Sequence, residues 1–386
     1  MNTLLLSLCL SFAPQDPPKV DQKKVDEAIK KGVAFLKEEI PHLRPRDMNG
    51  RDMRYDELIL WTFIHAGVSE EDEAFKTLFE RVLKAKEEVT YRVALKAMIL
   101  EEVDRVKYQP WIARCAQFLV DNQGEDGQWS YGEPSIAVDD IPTPSGGKDV
   151  ATPGGEGPIV KRKKPDVKRR WPIKARRKGP RTGDNSNSQY AALGIRACAD
   201  AGIVFDRDVL QRALRSWVDG QQKDGGWIYS GGRVVGPGPG DRDSYGSMTA
   251  GGVGSVIIYL HLQGQNWKAD RRVAAGFRWL EANFSVEENP RKKQWYYYYM
   301  YALERAGIFA GTERIGKHVW YDEGAAVLLR RQQDDGSWSR RPPPNNGGNR
   351  PGPPPGDMIA DTCFAILFLR RATRPFDDVA TEDKKK

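Results

Sequence analysis

Apolar positions recur every three or four residues along nearly the whole chain, and no stretch alternates with the period of two that a half-buried strand needs. The pattern predicts helices of two kinds. One kind carries charge on one face and an apolar stripe on the other: helices beginning near Val25, Asp72, Trp111, Asp208, Arg271 and Tyr321. The other kind is apolar or small nearly all round, as a helix buried on every side must be: those beginning near Tyr55, Thr90, Ser188, Ser247, Gln294 and Met358. The two kinds alternate, six of each. An apolar set covered by an amphipathic set predicts an all-α fold in which six inner helices form a ring inside six outer ones.

Three outer-type helices end in related stretches: "NQGEDGQWSYGE" from Asn122, "QQKDGGWIYSGG" from Gln221 and "RQQDDGSWSRR" from Arg331. Asp-Gly favours a turn with a positive-φ glycine that stops the helix. The following Trp folds back against the helix end, where it covers the Gln and uses its indole N–H. Repeated around a ring, such clasps tie neighbouring outer helices together. These stretches resemble the QW repeats of the squalene/hopene cyclase and protein prenyltransferase β-subunit superfamily. The resemblance implies an (α/α)6 toroid whose central cavity opens at one end, is lined by aromatics and holds an isoprenoid chain.

One toroid domain is expected over residues 20–375, followed by a solvated tail at 376–386. It is interrupted by a Pro/Gly/basic insertion at 133–183 and a Pro/Gly loop at 340–357, neither apolar enough to fold alone and both therefore read as disordered. The first thirteen residues, "MNTLLLSLCLSFA", read as a secretory signal, so the protein is expected to be exported to the periplasm or beyond. Four cysteines without paired spacing argue against a disulfide scaffold; Cys115, Cys198 and Cys363 read as buried thiols.

The formal charge of +7 is unevenly placed. Residues 161–181 hold twelve Lys or Arg against one Asp, which leaves the rest of the chain at −4. That segment reads either as a solvated linker or as a contact for an anionic membrane surface or glycan. Its single aromatic, Trp171, gives no base-stacking platform, so nucleic acid is not expected. The protein is expected to be a monomer.

Candidate chemistry lies at the N-terminal ends of the inner helices. The acidic D-x-D-D-T-like cluster with which cyclases protonate their substrate is absent. Asp139 and Asp140 are paired but fall in the insertion. Asp241 and Asp243 precede the fourth inner helix, and Asp361 stands alone in the apolar sixth, where burial would raise its pKa toward that of a proton donor. "DTCFA" from Asp361 matches part of a prenyltransferase zinc set, but no histidine follows it, so neither metal nor cofactor is expected. "QWYYYYMYALERAG" places Trp295, Tyr299 and Ala302 on one helical stripe with Tyr298 and Tyr301 beside it, a candidate aromatic wall. "GDNSNSQY" gives the third inner helix a polar mouth of Asp184, Asn185, Asn187 and Gln189, ending on Tyr190; Tyr245 occupies the corresponding place before the fourth. Three functions follow. The leading one is a terpenoid cyclase-like or prenyltransferase-like toroid acting on or holding an apolar isoprenoid. The alternatives are a non-catalytic extracytoplasmic binding or scaffold toroid, and a carbohydrate-active (α/α)6 enzyme using acids drawn from Asp56, Asp184, Asp243 and Asp361.

Overall fold

The computed structural model describes residues 18–43, 55–134, 141, 159–181, 183–230, 243–339 and 355–376. The segments 1–17 and 377–386, the pair Asp139 and Asp140, Asp241 and the loop 340–354 lie outside them.

Among the described residues twelve α-helices alternate as outer and inner. The outer set is α1 (Gln22–Glu39), α3 (Glu73–Lys84), α5 (Gln109–Asp121), α7 (Arg207–Asp219), α9 (Arg271–Ala282) and α11 (Trp320–Arg331). The inner set is α2 (Asp56–Ala66), α4 (Thr90–Asp104), α6 (Asn185–Asp200), α8 (Gly246–Leu262), α10 (Tyr296–Ala310) and α12 (Pro355–Arg370). Each inner helix packs on the next, and α12 returns to α2, so the ring is closed. The fold is the expected all-α toroid. Aspartates cap several outer and inner helices: Asp21 on α1, Asp72 on α3, Asp184 on α6 and Asp270 on α9 each accept a first-turn N–H. No described helix is long and apolar enough to cross a membrane.

The three Gln…Trp stretches share one geometry. The amides of Gln123, Gln221 and Gln332 donate to carbonyls on the next outer helix, Val209 at 2.9 Å, Arg272 at 2.9 Å and Ala28 at 2.8 Å. The indoles of Trp129, Trp227 and Trp338 donate back to Leu119, Trp217 and Leu328 at 2.7–2.8 Å. Their own N–H groups go to hydroxyls of the next inner helix, Ser188, Thr249 and Thr362. Each clasp therefore fixes three helices. Space for the indoles comes from glycines: a Cβ at Gly252 would stand 2.6 Å from Trp227, and one at Gly32 2.7 Å from Trp338. The third clasp joins the last outer helix to the first.

One feature differs from the sequence reading. The described part of the basic segment is docked onto the ring and is not a solvated linker. Residues Trp171–Ile173 form a short parallel pairing with Ile203–Phe205, and Gln109 and Gln117 donate to the carbonyls of Arg169 and Lys174. Some of its cations are paired within the chain: Lys164 with Glu101 and Glu102 at 2.5 and 2.8 Å, and Arg162 with Glu70 at 2.7 Å. The carboxylates that recruit it lie 60 to 90 residues away in sequence, invisible to local charge counting. The three thiols Cys115, Cys198 and Cys363 are buried and unpaired, as read.

Gly336 sits at φ +87° with Lys31 O 2.5 Å from where a Cβ would go. Gly264 has φ +67° and open space. In urea unfolding, Gly336→Ala is expected to lose on the order of 2 kcal/mol, and Gly264→Ala about half of that, because only the first also collides with a neighbouring helix.

Candidate functional site

The interior of the ring is filled at mid-height and hollow at both ends. The filling layer is hydrogen-bonded: Trp61 Nε1 donates to the Tyr301 hydroxyl at 3.1 Å, Arg305 Nη2 to Gln189 Oε1 at 2.8 Å, and Gln189 Nε2 to the Tyr298 hydroxyl. The Arg305 guanidinium also lies 3.9 Å from the Tyr301 ring centroid. A single cavity open at one end was expected. The structure instead has two chambers that share no lining residue.

The first chamber, about 470 Å3, lies at the N-terminal ends of the inner helices. Seven tyrosines line it: Tyr55, Tyr91, Tyr131, Tyr190, Tyr229, Tyr245 and Tyr298. Ring contacts run without a break from rim to floor: Tyr131 to Tyr91, Tyr91 to Tyr190, Tyr190 stacked on Tyr298, and Tyr298 tilted against Phe364, with centroids 5.6–6.3 Å apart. Burial raises the pKa of Tyr91, Tyr190 and Tyr298 well above the ordinary phenol value, and that of Tyr229 to about 12. The phenols are thus neutral hydrogen-bonding groups at any physiological pH, and poor proton donors. Leu58, Leu95, Met248 and Ala360 fill the apolar wall between them.

The polar part of the lining is small. Among the described residues Glu57 is the only lining carboxylate, and Arg92 grips both its oxygens at 2.8 Å. At the rim the Lys292 ammonium stands 4.4 Å above the Tyr245 ring, and Trp295, 63% exposed, occupies a left-handed conformation at φ 61° just before α10. Asn187 is buried. Its Nδ2 donates to Asp184, a carboxylate that can only accept, so its Oδ1 must point away from Asp184, and Oδ1 has no donor within the described residues.

Of the residues singled out from sequence, Asn187, Tyr190, Tyr245, Trp295 and Tyr298 come together in this chamber. Asp184 serves as the α6 cap, accepting from Asn187 N and Ser186 Oγ. Asn185 does not reach the chamber; it bonds Gln128 and the Ile228 carbonyl. Tyr299 points outward, with its hydroxyl on Ser285 O. Asp361 is outside the lining, and Asp243 is exposed outside it; burial raises the pKa of Tyr55, with Asp357, Cys363 and Asp361 adding to it. Among the described residues no group of three or more His, Cys, Asp or Glu is arranged to hold a metal. Tyr131 and Tyr229 were missed, yet each stands two residues after a clasp tryptophan, on the same side of an extended segment. Tyr55 and Tyr91 were missed as well; like Tyr245 and Trp295 they start an inner helix.

The second chamber, about 710 Å3, lies at the C-terminal ends of the inner helices. The docked basic segment and the chain after α12 contribute to its wall. Arg374 is held by Glu102, and Thr373 donates through N and Oγ to Glu304. Burial raises the Glu304 pKa to about 7 despite those donors.

Fold and chambers together define an α/α toroid with an aromatic chamber at one end. The chain matches no protein-family model and no curated protein. Among solved structures it is similar to a possible member of the GH105 family from Salmonella enterica subsp. enterica serovar Paratyphi A, with a TM-score of 0.55 at 11% identity, over 95% of this chain and 98% of that one. Weaker similarities are to the type II terpene cyclase MstE from Scytonema (TM-score 0.34, 11% identity, 91% and 99% covered) and to a protein from Actinoplanes (TM-score 0.33, 14% identity, 91% and 99% covered). At these identities the likeness concerns the fold alone.

Two pH effects follow. A phenol whose folded pKa is raised stabilises the fold fully below pH 10, and that contribution is lost as pH climbs toward the folded value. Phenolate absorbance should therefore show a group of tyrosines that ionise only together with alkaline unfolding. Glu304 has the same sign in a lower window. Its contribution is complete below pH 4.5 and lost through pH 7, so Glu304→Gln should gain melting temperature relative to the wild type between pH 5 and pH 8.

Proposed function

We propose that this protein holds a small, apolar, ring- or chain-shaped ligand bearing a hydroxyl, of the isoprenoid-alcohol class, in the tyrosine chamber, and that its role there is binding. The unbroken aromatic path from Tyr131 to Phe364 carries this reading. Such a surface offers π-faces along its length and hydroxyls at intervals, and 470 Å3 is within the range of small-molecule pockets. Binding is favoured over turnover by the acid–base inventory of the described lining: Tyr91, Tyr190, Tyr229 and Tyr298, whose burial raises their pKa values, and one carboxylate paired with Arg92.

Two fixed polar groups give the ligand its polar end. Asn187 presents an acceptor, Oδ1. Tyr298 presents a donor. Arg305 can only donate, so it fixes the Gln189 amide with Oε1 toward itself; Gln189 Nε2 then donates to the Tyr298 oxygen, which leaves the Tyr298 proton to point elsewhere. A hydroxyl, which both donates and accepts, satisfies the pair.

Titration of the full-length protein with geranylgeraniol, the hydrocarbon squalene and a disaccharide tests this. Geranylgeraniol is expected to bind best. Asn187→Leu and Tyr298→Phe should each weaken it about tenfold, the worth of one buried hydrogen bond. Tyr299→Phe, which changes an outward-facing residue, should leave binding as it was. Preference for the disaccharide, or equal binding by all the variants, overturns the proposal.

A further inference from the structure

The second chamber contains a buried cation with no ion-pair partner among the described residues. Arg305 is 3% exposed and lines the chamber. Its Nη2 is used by Gln189, while Nη1 meets no acceptor, and no carboxylate of the described residues forms an ion pair with it. The other buried cations are paired, Arg92 with Glu57 and Lys96 with Glu87. Glu304, beside Arg305 in sequence, gives both carboxylate oxygens to Thr373 and acts on Arg305 only through space. A buried unpaired charge is costly, and a structure that retains one usually supplies it with a counter-ion.

The surroundings fit an anion with an organic body. Seven cationic side chains line the chamber against four carboxylates, and burial raises the pKa of two of those four, Glu101 and Asp200, so their negative charge is the easier to lose. The chamber is far larger than an inorganic ion requires. Trp61, Leu193, Phe309 and Phe376 provide apolar surface, with the Arg196 guanidinium 5.0 and 4.2 Å from the two phenylalanine ring centroids.

We infer that the second chamber binds a small organic anion, a carboxylate or phosphate monoester with an aromatic or aliphatic body, whose charged end is received by Arg305. This site is separate from the tyrosine chamber and does not rest on what that chamber holds.

The test is calorimetric titration and thermal melting of the full-length protein with phenyl phosphate, benzoate and inorganic phosphate, against sodium chloride at matched ionic strength. Saturable binding of an organic anion is expected, with a rise in melting temperature that chloride does not reproduce. Arg305→Met should weaken binding at least tenfold. In the absence of ligand that variant should melt at or above the wild type, since it removes an uncompensated charge; a merely structural arginine would show a lower melting temperature. Arg305→Lys keeps the charge but cannot reach Gln189 and an anion together, and should also bind several-fold more weakly. If Arg305→Met does not fold, unchanged binding by Arg305→Lys overturns the inference. It is equally overturned by no binding to the wild type, by equal binding to Arg305→Met, or by an effect matched by chloride.

Discussion

Six helices that are apolar nearly all round can be buried only if the sheath around them closes, and closure rests on three glutamine side chains. Each reaches from the end of one outer helix to a carbonyl of the next, while the tryptophan behind it fills the gap and returns its N–H to the helix it left. A single hydrogen bond of this kind is worth only about 1 kcal/mol net. The clasp counts for more because its indole is fully buried, which contributes a few kcal/mol, and because its amide would leave buried partners unsatisfied if it let go. Gln332 to Ala28 matters most. It joins positions 304 residues apart and turns an open row of helix pairs into a ring.

The ring imposes opposite electrostatics on its two ends. N-terminal helix ends converge on the tyrosine chamber with partial positive charge, and C-terminal ends converge on the second chamber with partial negative charge. A carboxylate in the first would be held ionised, a poor proton donor. Phenols escape this because burial keeps them neutral. At the other end the Glu101–Glu102 pair holds Lys164, which gives that residue of the basic segment its partner within the chain.

Much of the architecture was legible because its signals are local: the period of the apolar positions, and Gln, Asp-Gly and Trp at fixed offsets. The site was less so, for identifiable reasons. Counting helical phase from Trp295 put Tyr299 on the inner stripe, but Trp295 is left-handed and lies outside the helix. The inward stripe of α10 is Tyr298, Tyr301 and Arg305, three and four residues apart. Attention to acids at the helix starts also hid two aromatics there, Tyr55 and Tyr91. The destination of the basic segment depends on Glu70, Glu101 and Glu102, and no periodicity announces a pairing across that distance.

The layer between the chambers has a consequence for both. Arg305, Gln189 and Tyr298 form a hydrogen-bond chain with one permitted direction, since arginine has nothing to accept with. The same guanidinium therefore sets which way the Tyr298 proton faces on one side of the layer and carries the uncompensated charge on the other. Replacing it with an apolar side chain would free the Gln189 amide to turn, and Tyr298 could then donate to Gln189 and lose its proton from the tyrosine chamber. Gln189 is buried and rigidly bracketed, and a Cβ on Gly251 would stand 2.6 Å from its Oε1, so the amide has little room for any third arrangement. Polarity in the first chamber is thus fixed from the second, through one amide held between a donor that cannot accept and a phenol that can do both.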